Sequence, residues 1–421
     1  MIPTRIPLAV PTTGRAEQDA LRDALDSGWV APVGPHLGRF EEALAERTGR
    51  ARAVAVSSGT AALHLQLLAA GVGSGDVVLC PTLTFVATAN AIRYTGAEPL
   101  LVDCGSDGCL DPGLVEDTLD RLAQQGRPAA AVMPVDVYGR IADHERIGVA
   151  ADRHGATLLV DAAESLGSAR GGRPAGSDGR AAGLSFNGNK IITTSSGGAV
   201  VTDDEDLADR VRHLATQARE PVPHYLHVDL GYNYRLSNLL AALGLAQLAR
   251  LEEFLAARRG HRERYRRLVG SIPGLSILGE DDGWLSAASA TDTGRPEVED
   301  NCWMTVLVLD DALAAAAGEE SAASLAAHLG GTLARAGIET RPLFTPLHTQ
   351  PLYAATTDAP GQHALTGRAE DLFDRCLVVP SSPASSARDI DEVCERIATA
   401  LESTGALQGA GDPVHALERT R

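Results

Sequence analysis

Between residues 53 and 203 short apolar runs alternate with amphipathic stretches, and this alternation limits the possible folds more than any other feature of the chain. AVAVSS (53–58), DVVLCP (76–81), PLLVD (99–103), AAVMPV (130–135), TLLVDAA (157–163) and GGAVVTD (197–203) read as strands. ALHLQLLAAG and TFVATANAIRYTG, lying between them, carry apolar residues at helical spacing. Apolar strands separated by helices predict a mostly parallel sheet with helices on both faces, an α/β fold. Two amphipathic helices, 15–27 and 38–48, precede the sheet and flank Gly28-Trp29-Val30.

Beyond the sheet, residues 236–269 read as one long helical region and 280–300 as a polar surface loop. A smaller αβ unit follows: WMTVLVL as strand, SAASLAAHLGGTLARAG as helix, LFDRCLVVP as strand, and a last helix near 388–402. The alanine-rich patch 312–326 reads as helix. A chain of 421 residues suits two domains, set here at 1–260 (large) and 261–404 (small), with a frayed tail over 405–421.

Composition excludes several partners. The net charge of −18 repels phosphate backbones and anionic lipid, so neither nucleic acid nor membrane is an expected partner. No run approaches the roughly 18 apolar residues that a membrane helix requires, and the N-terminus lacks the pattern of a signal peptide. Six scattered cysteines without a C-x-x-C read as reduced, buried thiols of a cytoplasmic protein. His224 and His227 have i, i+3 spacing but no third ligand nearby in sequence, so no metal site is expected.

Lysine occurs once, at Lys190; every other basic residue is arginine. Arginine supplies surface charge as well as lysine does, but its guanidinium cannot act as an amine nucleophile, which makes Lys190 a candidate for covalent chemistry. Other polar residues fall at the ends of the predicted strands, where ligands of open α/β sheets sit. Asp161 ends TLLVD, and Gly59-Thr60 opens a helix whose free amides attract an anion. Ser185, Asn187 and Asn189 accompany Lys190 in LSFNGNK. An amine for the aldehyde, a carboxylate for the ring nitrogen and donors for the phosphate are what pyridoxal 5′-phosphate (PLP) requires.

Ordered blocks carry a resemblance. SSGTAALHLQLLAAGV, GDVVLCPTLTFVATANAI, LLVDAAESLGS, LSFNGNKIITTSSGGAVVT, GYNYRLSNLLAALGLAQL and TRPLFTPLHTQPLY, with the entry segment GWVAPVGPHLGRFEE, resemble the sugar aminotransferases of the DegT–DnrJ–StrS group over about residues 15–400. The resemblance implies the fold-type I PLP transferase architecture, a large cofactor domain with a smaller C-terminal α/β domain, and a homodimer that shares its active sites. By the same resemblance Lys190 is the Schiff-base lysine and Asp161 the partner of the pyridine nitrogen. Ser185 and the turn Gly59, Thr60 and Ala61 hold the phosphate, Phe85 stacks on the ring, and Asn233 reaches the phosphate of the other subunit. Glu164 lies beside the cofactor where many relatives have Gln or His, and Asp136 replaces a more usual His. Trp29, Arg235, Arg341 and His348 are candidate substrate contacts.

The implied reaction moves an amino group, from L-glutamate, onto a nucleotide-linked keto-sugar. A 4-keto-6-deoxy hexose is expected, UDP-linked first and GDP-linked next. Alternatives left open are a cyclitol or other non-nucleotide ketone, and a catalytically silent PLP- or sugar-sensing regulator. Deoxygenating relatives carry histidine at the lysine position, so Lys190 argues against that chemistry.

Overall fold

The computed structural model describes residues 5–280, 298–354 and 363–407. The expected loop at 280–300 and the tail from 405 fall largely outside the described residues. In chain order the first strands are β1 (Arg52–Val56), β2 (Val77–Pro81), β3 (Glu98–Val102), β4 (Ala131–Val132), β5 (Thr157–Asp161), β6 (Ala169–Arg170), β7 (Arg173–Pro174), β8 (Ala181–Ser185) and β9 (Gly198–Thr202). Seven of them form one sheet in the order β1-β9-β8-β5-β4-β2-β3. Pairing is parallel from β3 through β8, and β9 runs antiparallel to both β8 and β1.

The strands are apolar throughout because both faces are covered. Ala53 and Ala55 of β1, with Val77 and Leu79 of β2, point into one core beside Leu37, Phe40 and Leu44 of the helix Pro35–Thr48. Their neighbours Val54, Val56, Val78 and Cys80 point into the opposite core, with the helices Gly59–Ala69, Ala87–Tyr94 and Glu205–Ala215. β8 was absent from the expected strands, since AAGLS has no β-branched residue. Its small residues are a packing requirement: a Cβ on Gly183 would stand 2.8 Å from Leu63 Cδ2, so the helix Gly59–Ala69 lies directly on the strand there.

The C-terminal layer comprises β10 (Leu275–Ile277), β12 (Thr305–Leu309) and β13 (Cys376–Val379), an antiparallel sheet in that order. β11 (Val298–Glu299) pairs instead with β6. The layer's core draws in Leu325 and Leu329 from the helix Ala322–Arg335, and Ile390, Val393 and Ile397 from the helix Ala387–Ser403. It also includes Ile6, whose N–H bonds Gly337 O at 3.0 Å, while Leu8 and Ala9 pack against the core of the large sheet. The boundary expected after residue 260 falls inside the helix Leu251–Gly270. Leu407, placed by expectation in the tail, is buried in the same core.

Three elements differ from expectation. The long helical region is two helices, Asn238–Ala249 and Leu251–Gly270, meeting at Arg250, which Glu17 and Glu253 hold. The alanine-rich patch is likewise divided, into Asp311–Ala316 and Ala322–Arg335, around Gly318 in a left-handed conformation. LFDRCLVVP is helix through Arg375 and strand only from Cys376. That helix has no local side-chain cap; a distant residue, Asp103 just after β3, accepts hydrogen bonds from Arg368 N (3.1 Å) and Ala369 N (3.0 Å).

Asp103 also accepts from Thr366 N and Thr366 Oγ1, both at 2.7 Å, and so fastens the segment 363–375 to the sheet edge. Burial alone would raise its pKa, but these donors hold it below the ordinary carboxylate value. Asp103→Ala should therefore cost about 2 kcal/mol in denaturant unfolding by orphaning several amides. A loss under about 0.5 kcal/mol, the usual range for a neutral surface change, would contradict this clamp.

Candidate active site

The polar residues named from sequence converge where the strands end. Asp161 is the last residue of β5 and Ser185 the last of β8. Gly59 opens the helix that follows β1, and its buried Cα faces Ser185 so closely that a Cβ would lie 2.7 Å from Ser185 Cβ. Ser58 caps that helix by accepting from Ala61 N at 3.0 Å. The preceding amides, at Gly59 and Thr60, have no intrahelical acceptor and are oriented for an anion. These groups border one cavity of about 350 Å³, together with Phe85, Glu164, Asn187, Asn189 and Lys190.

Lys190 sits in the turn after β8, its N–H bonded to Asn187 O at 3.0 Å. Its Nζ donates to Glu164 Oε1 at 3.0 Å and lies 4.2 Å from the centre of the Trp303 ring. Trp303 is fixed in turn by its indole N–H, which donates to Asn189 O at 2.7 Å. Glu164 Oε2 accepts from Tyr138 N at 2.8 Å, a contact made possible by the left-handed backbone of Tyr138 (φ 56°). Tyr138 stacks on Phe344, whose ring lies 5.8 Å from that of Phe85.

Asp161 is buried at the cavity floor. Thr88 Oγ1 donates to its Oδ2 at 2.8 Å and Ala163 N to its Oδ1 at 3.1 Å. Burial pushes its pKa up to about 6. Glu164 adds to the rise, while the two hydrogen bonds and Lys190 oppose it. Asp136, the other departure from the expected pattern, lies behind the rim and does not border the cavity. It accepts from Ser165 Oγ at 2.7 Å and lies 2.9 Å from His144 Nε2, so it braces the loop that carries Glu164.

Thr88, Tyr138, Trp303 and Phe344 were not foreseen. Thr88 could have been found, one helical turn after Phe85 in a block already singled out. Phe344 likewise lies in a block already singled out, three residues after Arg341, whereas Trp303 comes from a distant segment and carries no local signal.

The expected substrate contacts are placed elsewhere in this chain. Arg235 Nη1 is held by Glu41 (2.6 Å) and Ala55 O (3.0 Å). His348 is fixed between Thr82 Oγ1 and Glu370 Oε1, each at 2.7 Å. Arg341 pairs with Glu339 at 2.6 Å beside a separate hollow in the C-terminal layer. Each is engaged by a neighbour in the chain, and none borders the cavity. Trp29 and Asn233 are exposed and also do not border it; Ala61 follows Gly59 and Thr60 in the helix start and does not border it either. His224 and His227 are exposed, with His227 Nδ1 2.8 Å from Gln217 O. Among the described residues no cluster of three His, Cys, Asp or Glu could hold a metal ion, and no helix is long and apolar enough to cross a membrane.

Residues 11–398 match the DegT/DnrJ/EryC1/StrS aminotransferase family. The chain belongs to this family. It is 41% identical over 379 residues to the putative pyridoxal phosphate-dependent aminotransferase EpsN of Bacillus subtilis, covering 90% of this chain and 91% of EpsN. It is 38% identical to GDP-perosamine synthase of Caulobacter vibrioides, covering 84% of this chain and 89% of that one. Among solved structures, DesI in the presence of its TDP-sugar product superposes with a TM-score of 0.79 at 30% identity, covering 99% of this chain and 96% of DesI. The protein is a PLP-dependent transaminase of fold type I. The cavity fits that cofactor: it offers one amine, two buried carboxylates, and a glycine-walled helix start beside a serine hydroxyl.

A carboxyl whose folded pKa is raised loses stability as pH climbs from the ordinary value of 3.8 through about 6. In cofactor-free protein, Asp161→Asn should therefore raise stability at pH 7 by at most roughly 3 kcal/mol, with a smaller gain near pH 5. A variant no more stable than wild type at pH 7 would contradict the strain assigned to this carboxylate.

Proposed function

We propose that the protein transfers an amino group, with L-glutamate as donor, to the keto carbon of a nucleotide-linked sugar. The observation that carries this reading is the convergence of the single lysine, the buried Asp161 and the Gly59–Ser185 turn on one cavity in a member of a sugar aminotransferase family. Relatives named GDP-perosamine synthase support a GDP-linked 4-keto-6-deoxy hexose over the UDP-linked alternative.

In this reading the Nζ of Lys190 would hold the cofactor through its aldehyde carbon, and Asp161 would keep its ring nitrogen protonated. Gly59, Thr60 and Ser185 take the phosphate, and Phe85 covers the ring. Bound PLP supplies an aldehyde that exchanges amines and a ring that accepts electrons from the adjacent carbon. With a donor bound there, Lys190 Nζ would be the group that removes a proton from the donor's α-carbon. Trp303, Phe344 and Tyr138 exclude water around that nitrogen.

The described residues bordering the cavity include one cation, Lys190, and two carboxylates, Asp161 and Glu164. A substrate bearing a diphosphate needs further donors, and a second copy of the chain would bring them. Tyr225 (81% exposed), Val228 (69%) and Leu230 (80%) lie just before Asn233 on the surface. Apolar exposure on this scale supports a homodimer in which Asn233 of one copy reaches the phosphate of the other. Six buried free cysteines suit a reducing, cytoplasmic setting.

Incubation with L-glutamate and a GDP-linked 4-keto-6-deoxy sugar should give a product in which an amino group replaces the ketone oxygen. Conversion of a free cyclitol ketone with no turnover of any nucleotide sugar would overturn the substrate class. For the shared site, mixing Lys190→Ala with Asn233→Ala chains should restore activity, because hybrid dimers then hold one site free of both lesions. Mixtures as inactive as the separate variants would mean that each chain uses its own asparagine.

A further inference from the structure

The position of Glu164 has a chemical consequence of its own. Its carboxylate is 4% exposed, and its two oxygens are divided between two donors: Oε1 faces Lys190 Nζ at 3.0 Å and Oε2 accepts from Tyr138 N at 2.8 Å. The contact with the Tyr138 amide fixes the carboxylate and leaves Oε1 aimed at the amine. The Trp303 ring also packs on Nζ, its centre 4.2 Å away. A lysine ammonium is not a nucleophile; it must lose a proton before its lone pair can attack a carbonyl carbon. In this enclosed position the group in direct contact that can take the proton is Glu164.

We propose that Glu164 is a catalytic residue that exchanges a proton with Lys190. The proton passes from Nζ to Oε1, converting an ammonium–carboxylate pair into an amine–carboxylic acid pair with no change in net charge. The freed lone pair then bonds the aldehyde carbon, and the carbonyl oxygen leaves as water. When an incoming amine displaces Lys190, the proton stays on Oε1, and the neutral Nζ keeps the lone pair that accepts the donor's α-carbon proton. The inference rests on the covalent role given to Lys190 above.

The titratable groups facing Glu164 are Lys190, Asp161 at the end of β5 and the Tyr138 phenol. A second buried carboxylate, Asp161, stands beside the pair, and because two adjacent negative charges in a buried site repel, passing a proton to Oε1 relieves that repulsion. Glutamine in place of Glu164 would keep an oxygen for the Tyr138 amide and a polar contact with Nζ. It could not accept the proton. Substituting it removes the charge and the proton site while leaving the hydrogen-bonded peg in place.

Because the chain has one lysine, amine-directed labelling reports on this pair alone apart from the N-terminus. Full-length wild-type and Glu164→Gln protein, freed of cofactor, would be pulse-labelled with trinitrobenzenesulfonate across a pH series, and the Lys190 peptide quantified by mass spectrometry. Losing the counter-charge should lower the labelling midpoint by at least about one pH unit, a roughly tenfold faster reaction below both midpoints. Should the Gln variant fail to fold, Glu164→Asp retracts the carboxylate by one methylene and should move the midpoint the same way by less. Coincident midpoints would overturn the proposal, since Nζ and Oε1 would then not share a proton in solution. Loading wild type with PLP must also block labelling. If label enters loaded and free protein equally fast, the covalent role of Lys190 fails; if loading blocks it and the midpoints coincide, the proton role of Glu164 fails alone.

Discussion

Covering both faces of the parallel sheet leaves its carboxyl edge as the place where polar groups can gather without disturbing a core. Alternate residues of β1 and β2 go to opposite cores, so a charged side chain inside either strand would be buried without a partner. Beyond the strand ends that constraint is released. Asp161, Ser185 and the helix start at Gly59 occupy those ends, and the turn after β8 carries Lys190 to them. The helix Gly59–Ala69 packs closely on Gly183 and, at its start, on Ser185, so core geometry and the cavity wall at Gly59 are linked through one helix.

The large sheet was legible because its strands are continuous apolar runs with helical text between them. β8 was not, since its small residues answer to a helix pressed on it and not to strand propensity. The helix Arg368–Arg375 was hidden for a similar reason: its N-terminal amides are capped by Asp103, far away in sequence. Local signals cannot report an interaction whose other half lies hundreds of residues off. The same limit governs the site. Lys190 stood out through composition and Asp161 through its strand end, whereas Trp303 and Phe344 reach the cavity only because the C-terminal layer folds back over it. Arg235 and His348 belong to motifs that sequence alone could not separate from the site, and their guanidinium and imidazole are engaged inside the fold.

The site's electrostatics are poised rather than relaxed. Two buried carboxylates face one amine, and Asp161 is held at about 6 by its burial. An arrangement of this kind is costly to an empty protein and useful to one that binds a ring nitrogen needing a proton. The chemistry depends first on where the cofactor is attached. Borohydride reduction of the PLP-loaded enzyme, followed by peptide mapping, decides that directly. The reduced cofactor's mass should appear on the peptide containing Lys190; cofactor retained by the protein with no mass added at Lys190 would contradict the account.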